Sequence, residues 1–369
     1  MRANGRLPGT VSVALSLGAL LLVAGCQAAT PSPLDPRTTT TTRIAELGWV
    51  MIALATVVCI VVYGAIVLAL RAAPRQTGSA QRPERWEEDE HGPNRAVIWA
   101  GMVIPTAILV FTFGYTVWTL RQVTGAAGAG GATSFAAHDD HAERSAPGLR
   151  QADLGILPVV TMNLTGHQWW WQIEYPDEGI ATANEIRIPV GVPVQLRLTS
   201  QDVIHSFWVP QVTGKVDLIP GKTNLLTVRA EQPGTYRGLC GEFCGLQHAR
   251  MHLRMVVEPA EAYVRWLERE RQPAAPPATP EAEAGQRVFV SRCGECHTVR
   301  GTTNGTQGPD LTHVASRLTL GAGLHENTRT NLGAWATDAQ AMKPGNKMPS
   351  IPMPDDELAA LLAYLEGLR

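Results

Sequence analysis

At 369 residues the chain is long enough for two or three folded units of about 150 residues each. A net charge of −2 supplies no basic field for nucleic acid, and 45% hydrophobic against 17% charged residues leans toward membrane content. Residues 1–25 read as a secretory signal: Arg2 and Arg6 supply the positive start and Val11 to Val23 the apolar core. That core is short for the roughly 20 residues a spanning helix needs, which argues against its retention as a third span.

The signal ends Leu22-Val23-Ala24-Gly25-Cys26, which resembles a bacterial lipobox with Cys26 as the lipidated first residue of the mature chain; an ordinary cleavage nearby is the alternative. Residues 26–43 then form an extracytoplasmic segment. Two apolar stretches, 44–70 and 96–120, predict membrane-spanning helices, the second containing Pro105 and Gly114, both tolerated in lipid. Arg71, Arg75, Arg82, Arg85 and Arg95 lie between them, so that loop is cytoplasmic by the positive-inside rule and everything after Leu120 is extracytoplasmic. Residues 121–152 form a Gly/Ala-rich linker; its His138-Asp139-Asp140-His141 run could bind a metal, though a solvated linker accounts for it.

From 153 to 271 short β-runs alternate with turn signals at Pro189, Pro220-Gly221 and Pro233-Gly234, the pattern of a sandwich or barrel. Glu261 to Arg271 closes this unit as a charged helix end. Residues 272–284 are Pro/Ala-rich and read as a second linker, leaving 285–369 as a last unit.

Two motifs carry chemistry. The run Cys240-Gly-Glu-Phe-Cys244-Gly-Leu-Gln-His248-Ala-Arg-Met251, with His205 upstream, offers thiolates, imidazoles and a thioether, a soft set that selects copper over hard cations. Two cysteines four apart, both able to bridge, suit a pair of copper ions; a Cys240–Cys244 disulfide is the alternative. Cys293-Gly-Glu-Cys296-His297 has the c-type haem attachment spacing, with His297 as axial ligand, although such spacing also occurs in zinc fragments and redox dithiols. A methionine should supply the sixth position and raise the potential, the candidates being Met342, Met348 and Met353.

The copper run resembles the dinuclear CuA site of cytochrome c oxidase subunit 2, and Gly166-His167-Gln168-Trp169-Trp170-Trp171 resembles that family's aromatic signature. Gly285, Phe289, Gly308-Pro309-Asp310-Leu311 and the helix around Tyr364 are similar to class I cytochrome c. The resemblance implies a two-helix transmembrane hairpin, then an all-β cupredoxin-like sandwich, then an all-α cytochrome c domain, as in a caa3-type fusion. It implies His205, Cys240, Cys244, His248, Met251 and the Glu242 carbonyl as copper ligands. It further implies Cys293 and Cys296 as haem attachments, His297 and Met348 as axial ligands with Met353 the rival, and Trp169 as the electron-input tryptophan. Pro309 would accept a hydrogen bond from His297. Glu242, with Asp217 nearby, would face a magnesium ion shared with subunit 1, or be an ordinary loop carboxylate. His167 reads as structural.

The implied function is electron input to a proton-pumping terminal oxidase of a bacterial cell membrane, with both metal domains on the periplasmic side. Electrons would come from a soluble or membrane cytochrome c or a bc-type complex and leave for subunit 1, where oxygen is reduced to water. The implied partners are subunit 1, other oxidase subunits and lipid. One position departs from the family: Ala96 stands where many relatives carry a proton-channel glutamate, so that carboxylate is either elsewhere, with Glu90 a candidate, or dispensed with. A carrier serving another reductase, such as a nitrous oxide reductase, and a copper-assembly protein are the rival classes. The intact ligand set excludes a quinol-oxidase subunit.

Overall fold

The computed structural model describes residues 31–72, 95–128 and 160–369. The signal segment, Cys26, the His138–His141 run, Glu90 and most of the arginine-rich loop lie outside the described residues.

Two helical stretches, α1 (Thr39–Ala72) and Trp99–Val123, which includes most of α2 (Ile104–Gly128), are long and apolar enough to cross a membrane, and α1 and α2 pack against each other. Both leave large apolar side chains exposed, among them Val61, Leu68, Leu109 and Phe113, as lipid-facing helices do. A helical turn (Arg95–Ile98) and a π-turn (Trp99–Val103) lead into α2. There Ile104 N–H reaches back to Trp99 O, and Pro105 has no N–H to continue the ordinary ladder.

The first helix begins at Thr39 rather than at Ile44 as hydropathy predicts. Its polar first turns are seated on the β-domain: Thr38 Oγ1 donates to Val212 O (3.1 Å) and Thr41 Oγ1 to Gln211 O (3.1 Å), with Arg37 N on Gln211 O (2.8 Å). The second helical stretch likewise runs past Leu120 to Gly128.

The β-domain is a sandwich of two five-stranded sheets. Its strands are β1 (Val160–His167), β2 (Trp170–Tyr175), β3 (Ile180–Ala183), β4 (Glu185–Pro189), β5 (Val194–Ser200), β6 (His205–Trp208), β7 (Val216–Leu218), β8 (Asn224–Val228), β9 (Gly234–Cys240) and β10 (His252–Glu258). One sheet runs β3-β2-β1-β5-β8 and the other β4-β10-β9-β6-β7. Alternate residues point inward, so Met162 and Leu164 of β1 meet Leu196 and Leu198 of β5 and the opposite sheet in one core with Trp171 and Phe207. Helix α3 (Ala260–Glu270) covers one end, its Trp266 ring 5.2 Å from that of Tyr175.

The last unit holds α4 (Pro280–Arg292), α5 (Arg329–Met342) and α6 (Asp355–Gly367). Composition assigns 280–284 to the linker, but these residues open α4. Pro280 supplies a preset first-turn φ, and Thr279 Oγ1 caps Ala282 N (3.1 Å). The remaining linker is not a free tether either. Gln272 O bonds the His313 ring (3.1 Å), Arg300 Nη1 donates to Arg271 O (3.2 Å), and Ala274 N donates to Arg300 O (3.4 Å).

Helices α4 and α6 cross at Gly285, with Phe289 and Tyr364 rings 5.6 Å apart beside the crossing. A Cβ at Gly285 would sit 1.9 Å from Ala360 O and 2.9 Å from Tyr364 Cβ, so the helices can approach only without it. Gly285→Ala should therefore force them apart and cost about 1–3 kcal/mol or more. Denaturant titration followed by circular dichroism should show a clearly lower midpoint for this unit; an unchanged midpoint would contradict the contact.

Candidate metal centres

The copper-type ligands converge at one end of the sandwich, where β9 ends and β6 and β10 begin. Cys240 closes β9, His205 opens β6, and the loop between β9 and β10 carries the others. Cys240 N donates to Met251 O (2.9 Å), closing the loop at its base, and Gly241 N donates to Ser206 O (2.8 Å), tying it to β6. Around Cys240 Sγ stand Cys244 Sγ at 3.7 Å, His205 Nδ1 at 3.9 Å and Glu242 O at 3.2 Å. Around Cys244 Sγ stand His248 Nδ1 at 3.7 Å and Met251 Sδ at 3.9 Å. The cysteines are free thiols, and with His205 they form a buried cluster whose ligand atoms lie within 4.8 Å of one another.

The donor set fits a two-copper centre. Metal–thiolate bonds of about 2.3 Å can bridge sulfurs this far apart, and an imidazole accompanies each sulfur. The two sulfurs are in hydrogen-bond contact, and this contact lowers the Cys240 pKa and raises that of Cys244. Both thiols would give up their protons on binding metal.

Asp202 orients the site from behind. Its Oδ1 lies 2.8 Å from His205 Nε2 and turns Nδ1 toward the sulfurs. Burial alone would raise the Asp202 carboxyl. The His205 bond, the backbone N–H groups of Gln168 (2.7 Å) and Val203 (2.8 Å), and Lys347 Nζ (3.2 Å) outweigh it and hold the pKa at about 2. No motif pointed to Asp202; its only sequence signal is that it stands three residues before His205.

The haem-type residues line a cavity of about 340 Å³ that includes Cys293, Cys296, His297 and Met348. His297 Nδ1 donates to Pro309 O (2.8 Å), which leaves Nε2 for iron, and burial keeps the ring below its ordinary pKa and neutral. Gly308 lets the backbone pass under that ring, since a Cβ there would lie 2.6 Å from His297 Cε1. Met348 is held by Met348 N to Asn346 Oδ1 (2.8 Å) and Gln340 Nε2 to Met348 O (2.7 Å). Met353 packs against the apolar core of the unit instead and does not line the cavity. Thiols, imidazole and thioether around one apolar hollow fit a c-type haem.

The aromatic signature divides among tasks. Trp171 is fully buried in the sandwich core. His167 stacks on Trp170, ring centroids 4.4 Å apart, and bonds Gln172 (3.1 Å); it is not in the metal cluster. Trp169 Nε1 and Gln168 Nε2 both donate to Cys244 O at 2.9 Å. Trp169 also lines the haem-type cavity, as do His167, Gln168, Trp170 and Asn184 of the β-domain. Glu242 turns its carboxylate outward to Lys215 (3.5 Å), and Asp217 lies on β7.

The chain is a cupredoxin-like sandwich joined to a cytochrome c-like helical unit behind two apolar helices. The family model for the periplasmic domain of cytochrome c oxidase subunit II matches residues 179–259, and that for cytochrome c matches 282–369. Cytochrome c oxidase subunit 2 of Alkalihalophilus pseudofirmus is 40% identical over 213 residues, covering 57% of this chain and 62% of that protein. The Bacillus subtilis protein of the same name is 32% identical over 224 residues, covering 57% and 63%. The chain thus spans a little under two thirds of the length of these relatives. A solved periplasmic domain of cytochrome oxidase subunit II from Bradyrhizobium japonicum is 30% identical, covering 30% of this chain and 93% of that one, with a TM-score of 0.30. The chain is homologous to cytochrome c oxidase subunit 2 and carries a cytochrome c domain at its C-terminal end, which fits a caa3-type fusion.

Asp202→Asn should lower copper affinity about 10- to 100-fold, as loss of such outer-shell partners does; copper titration against a competing chelator measures this. The acid limb follows from the same carboxylate. Its pKa is depressed, so its contribution to stability is complete above the ordinary value of 3.8 and is lost as pH falls toward about 2. Acid unfolding of the copper domain should therefore start at higher pH in Asp202→Asn.

Proposed function

We propose that this chain is the electron-input subunit of a proton-pumping terminal oxidase. It takes electrons from an external donor, a soluble or membrane cytochrome c or a bc-type complex. They pass through haem c and dinuclear CuA to the haem-copper centre of a partner subunit 1, where oxygen is reduced to water. His205, Cys240, the Glu242 carbonyl, Cys244, His248 and Met251 would hold the copper pair. Cys293 and Cys296 would anchor the haem, with His297 and Met348 as its axial ligands. Bound there, each centre supplies reversible one-electron chemistry.

The observation that carries the reading is the position of Trp169. Its ring lines the haem-type cavity while its indole N–H holds the carbonyl of the copper ligand Cys244 at 2.9 Å. One side chain therefore touches the surroundings of both centres. The protein's own work is positional: Asp202 orients His205, Pro309 orients His297, and the fold buries the Cys240 and Cys244 thiols. Helices α1 and α2 anchor the chain in a bacterial cell membrane with both domains on the periplasmic side, and Cys26 adds a lipid there. A magnesium ion shared with subunit 1 has less support. Among the described residues the Glu242 carboxylate pairs with Lys215 (3.5 Å), and no group of three or more metal-type side chains includes it.

Metal analysis with absorption and EPR spectra of the purified chain tests the reading. Two coppers and one haem per chain are expected, with a mixed-valence dinuclear signal that Cys240→Ser or Cys244→Ser abolishes. Met251→Leu should be milder, because a thioether is a weak ligand beside thiolates and imidazoles. Met348→Ala should lose the haem's sulfur ligation. A single mononuclear copper, or a native copper spectrum in Cys244→Ser, would point to a carrier or assembly role instead.

A further inference from the structure

Two buried ionisable side chains, one basic and one acidic, face each other's domains across the seam between the copper and haem units. Lys343, at the end of α5 in the haem unit, is only 2% exposed. Its ammonium donates to Trp169 O (2.8 Å) and Arg250 O (2.9 Å) of the copper domain and to Gly321 O (2.9 Å) of its own unit. Three donors meet three carbonyls, the full complement of an ammonium group. Glu185, which opens β4 of the copper domain, is 5% exposed. Its Oε1 accepts from Leu318 N (2.7 Å), Thr319 N (2.9 Å) and Thr319 Oγ1 (3.3 Å) of the haem unit. Each domain thus sends one ionisable side chain into the other's backbone.

Close packing surrounds these contacts. His252 N donates to Ala322 O (3.0 Å), and Gln247 Nε2 donates to Pro344 O (2.5 Å). A Cβ at Gly323 would lie 2.8 Å from His252 Cβ, and one at Gly345 would lie 2.6 Å from Leu246 Cδ2. The placement of Lys343 is specific to the two metal loops. It stands at the head of the segment that carries Met348. One acceptor belongs to Trp169, which holds Cys244 O; another belongs to Arg250, the neighbour of Met251.

We propose that Lys343 and Glu185 form a reciprocal buried lock that holds the haem domain permanently docked on the copper domain, with Lys343 the positioning residue that sets the Met348 segment against the copper loop. A buried ammonium or carboxylate is tolerable only while hydrogen-bonded, so separating the domains would strip most of the partners from both groups at once. The covalent connection at 272–279 then serves as a docked strap and not as a leash for a swinging carrier. This rests on the electron-input reading for its purpose but not for its geometry.

The test uses the full chain in detergent and reads docking by hydrogen exchange, which needs neither metal to be active. In the wild type the amides of His252, Leu318 and Thr319, whose acceptors lie across the seam, should exchange as slowly as amides inside β9 and β10. Lys343→Met and Glu185→Ala should each speed exchange at these amides at least 10-fold and leave the sheet interiors unchanged. A second readout is electron transfer between the two centres after a light-triggered reduction. It should be indifferent to added glycerol in the wild type, but slower and viscosity-dependent in Lys343→Met with both centres' spectra intact. Wild-type seam amides that exchange as open loops, wild-type transfer that slows with viscosity, or unchanged exchange in both variants would overturn the lock. Absence of the copper and haem spectra would instead overturn the functional reading, while the exchange result would still judge the dock.

Discussion

The chain depends on keeping two sulfur atoms close and unjoined. Cys240 and Cys244 stand 3.7 Å apart in a buried loop, near enough to share metal ions. The loop's own turn at His248–Arg250 is short, and its two ends need an outside frame. The sandwich supplies that frame, because Cys240 ends β9, Met251 precedes β10, and the N–H of one bonds the carbonyl of the other. His205 arrives on β6, the strand beside β9. A redox site gains from such a frame, since ligands held by packed strands have little freedom to rearrange when the charge changes.

The same logic extends outward through Asp202. It links the imidazole of His205, the turn that carries Trp169, and Lys347 of the haem unit. One carboxylate therefore connects a copper ligand, the aromatic contact and the neighbouring domain. Membrane attachment is similarly built into the sandwich. The first turns of α1 hydrogen-bond to the carbonyls of Gln211 and Val212, so the span and the copper domain are joined by contacts as well as by sequence.

A flexible linker would give the haem domain an effective concentration of millimolar order at the copper surface. Docking changes the situation in kind. The β-domain contributes part of the wall of the haem-type cavity, and the backbone after α3 is tied to the haem unit by Arg300 and His313. Composition alone reads 272–284 as a tether because proline and alanine bury little. It is silent on the backbone carbonyls, which are what Arg300 and the His313 ring engage.

Legibility in the sequence follows from the range of the chemistry. Ligand identity is local: a thiol four residues from a thiol, or five residues of haem attachment spacing, can be read without a fold, as can the apolar length of a span and the alternation of a strand. The Pro309 contact to His297 was legible through family resemblance, and Met348 was preferred over Met353 on the same ground. Asp202, Glu185 and Lys343 were not legible. Their partners lie on other segments, 174 residues away for Lys343 and Trp169 and 134 for Glu185 and Thr319. A lone charged residue in a polar stretch looks the same whether it meets water or a distant carbonyl. The sequence by itself thus determined which atoms can bind metal and which helices can enter a membrane. Only the tertiary structure decided which backbone oxygens would meet which buried charges, because that pairing exists only once two domains exclude water from a common surface.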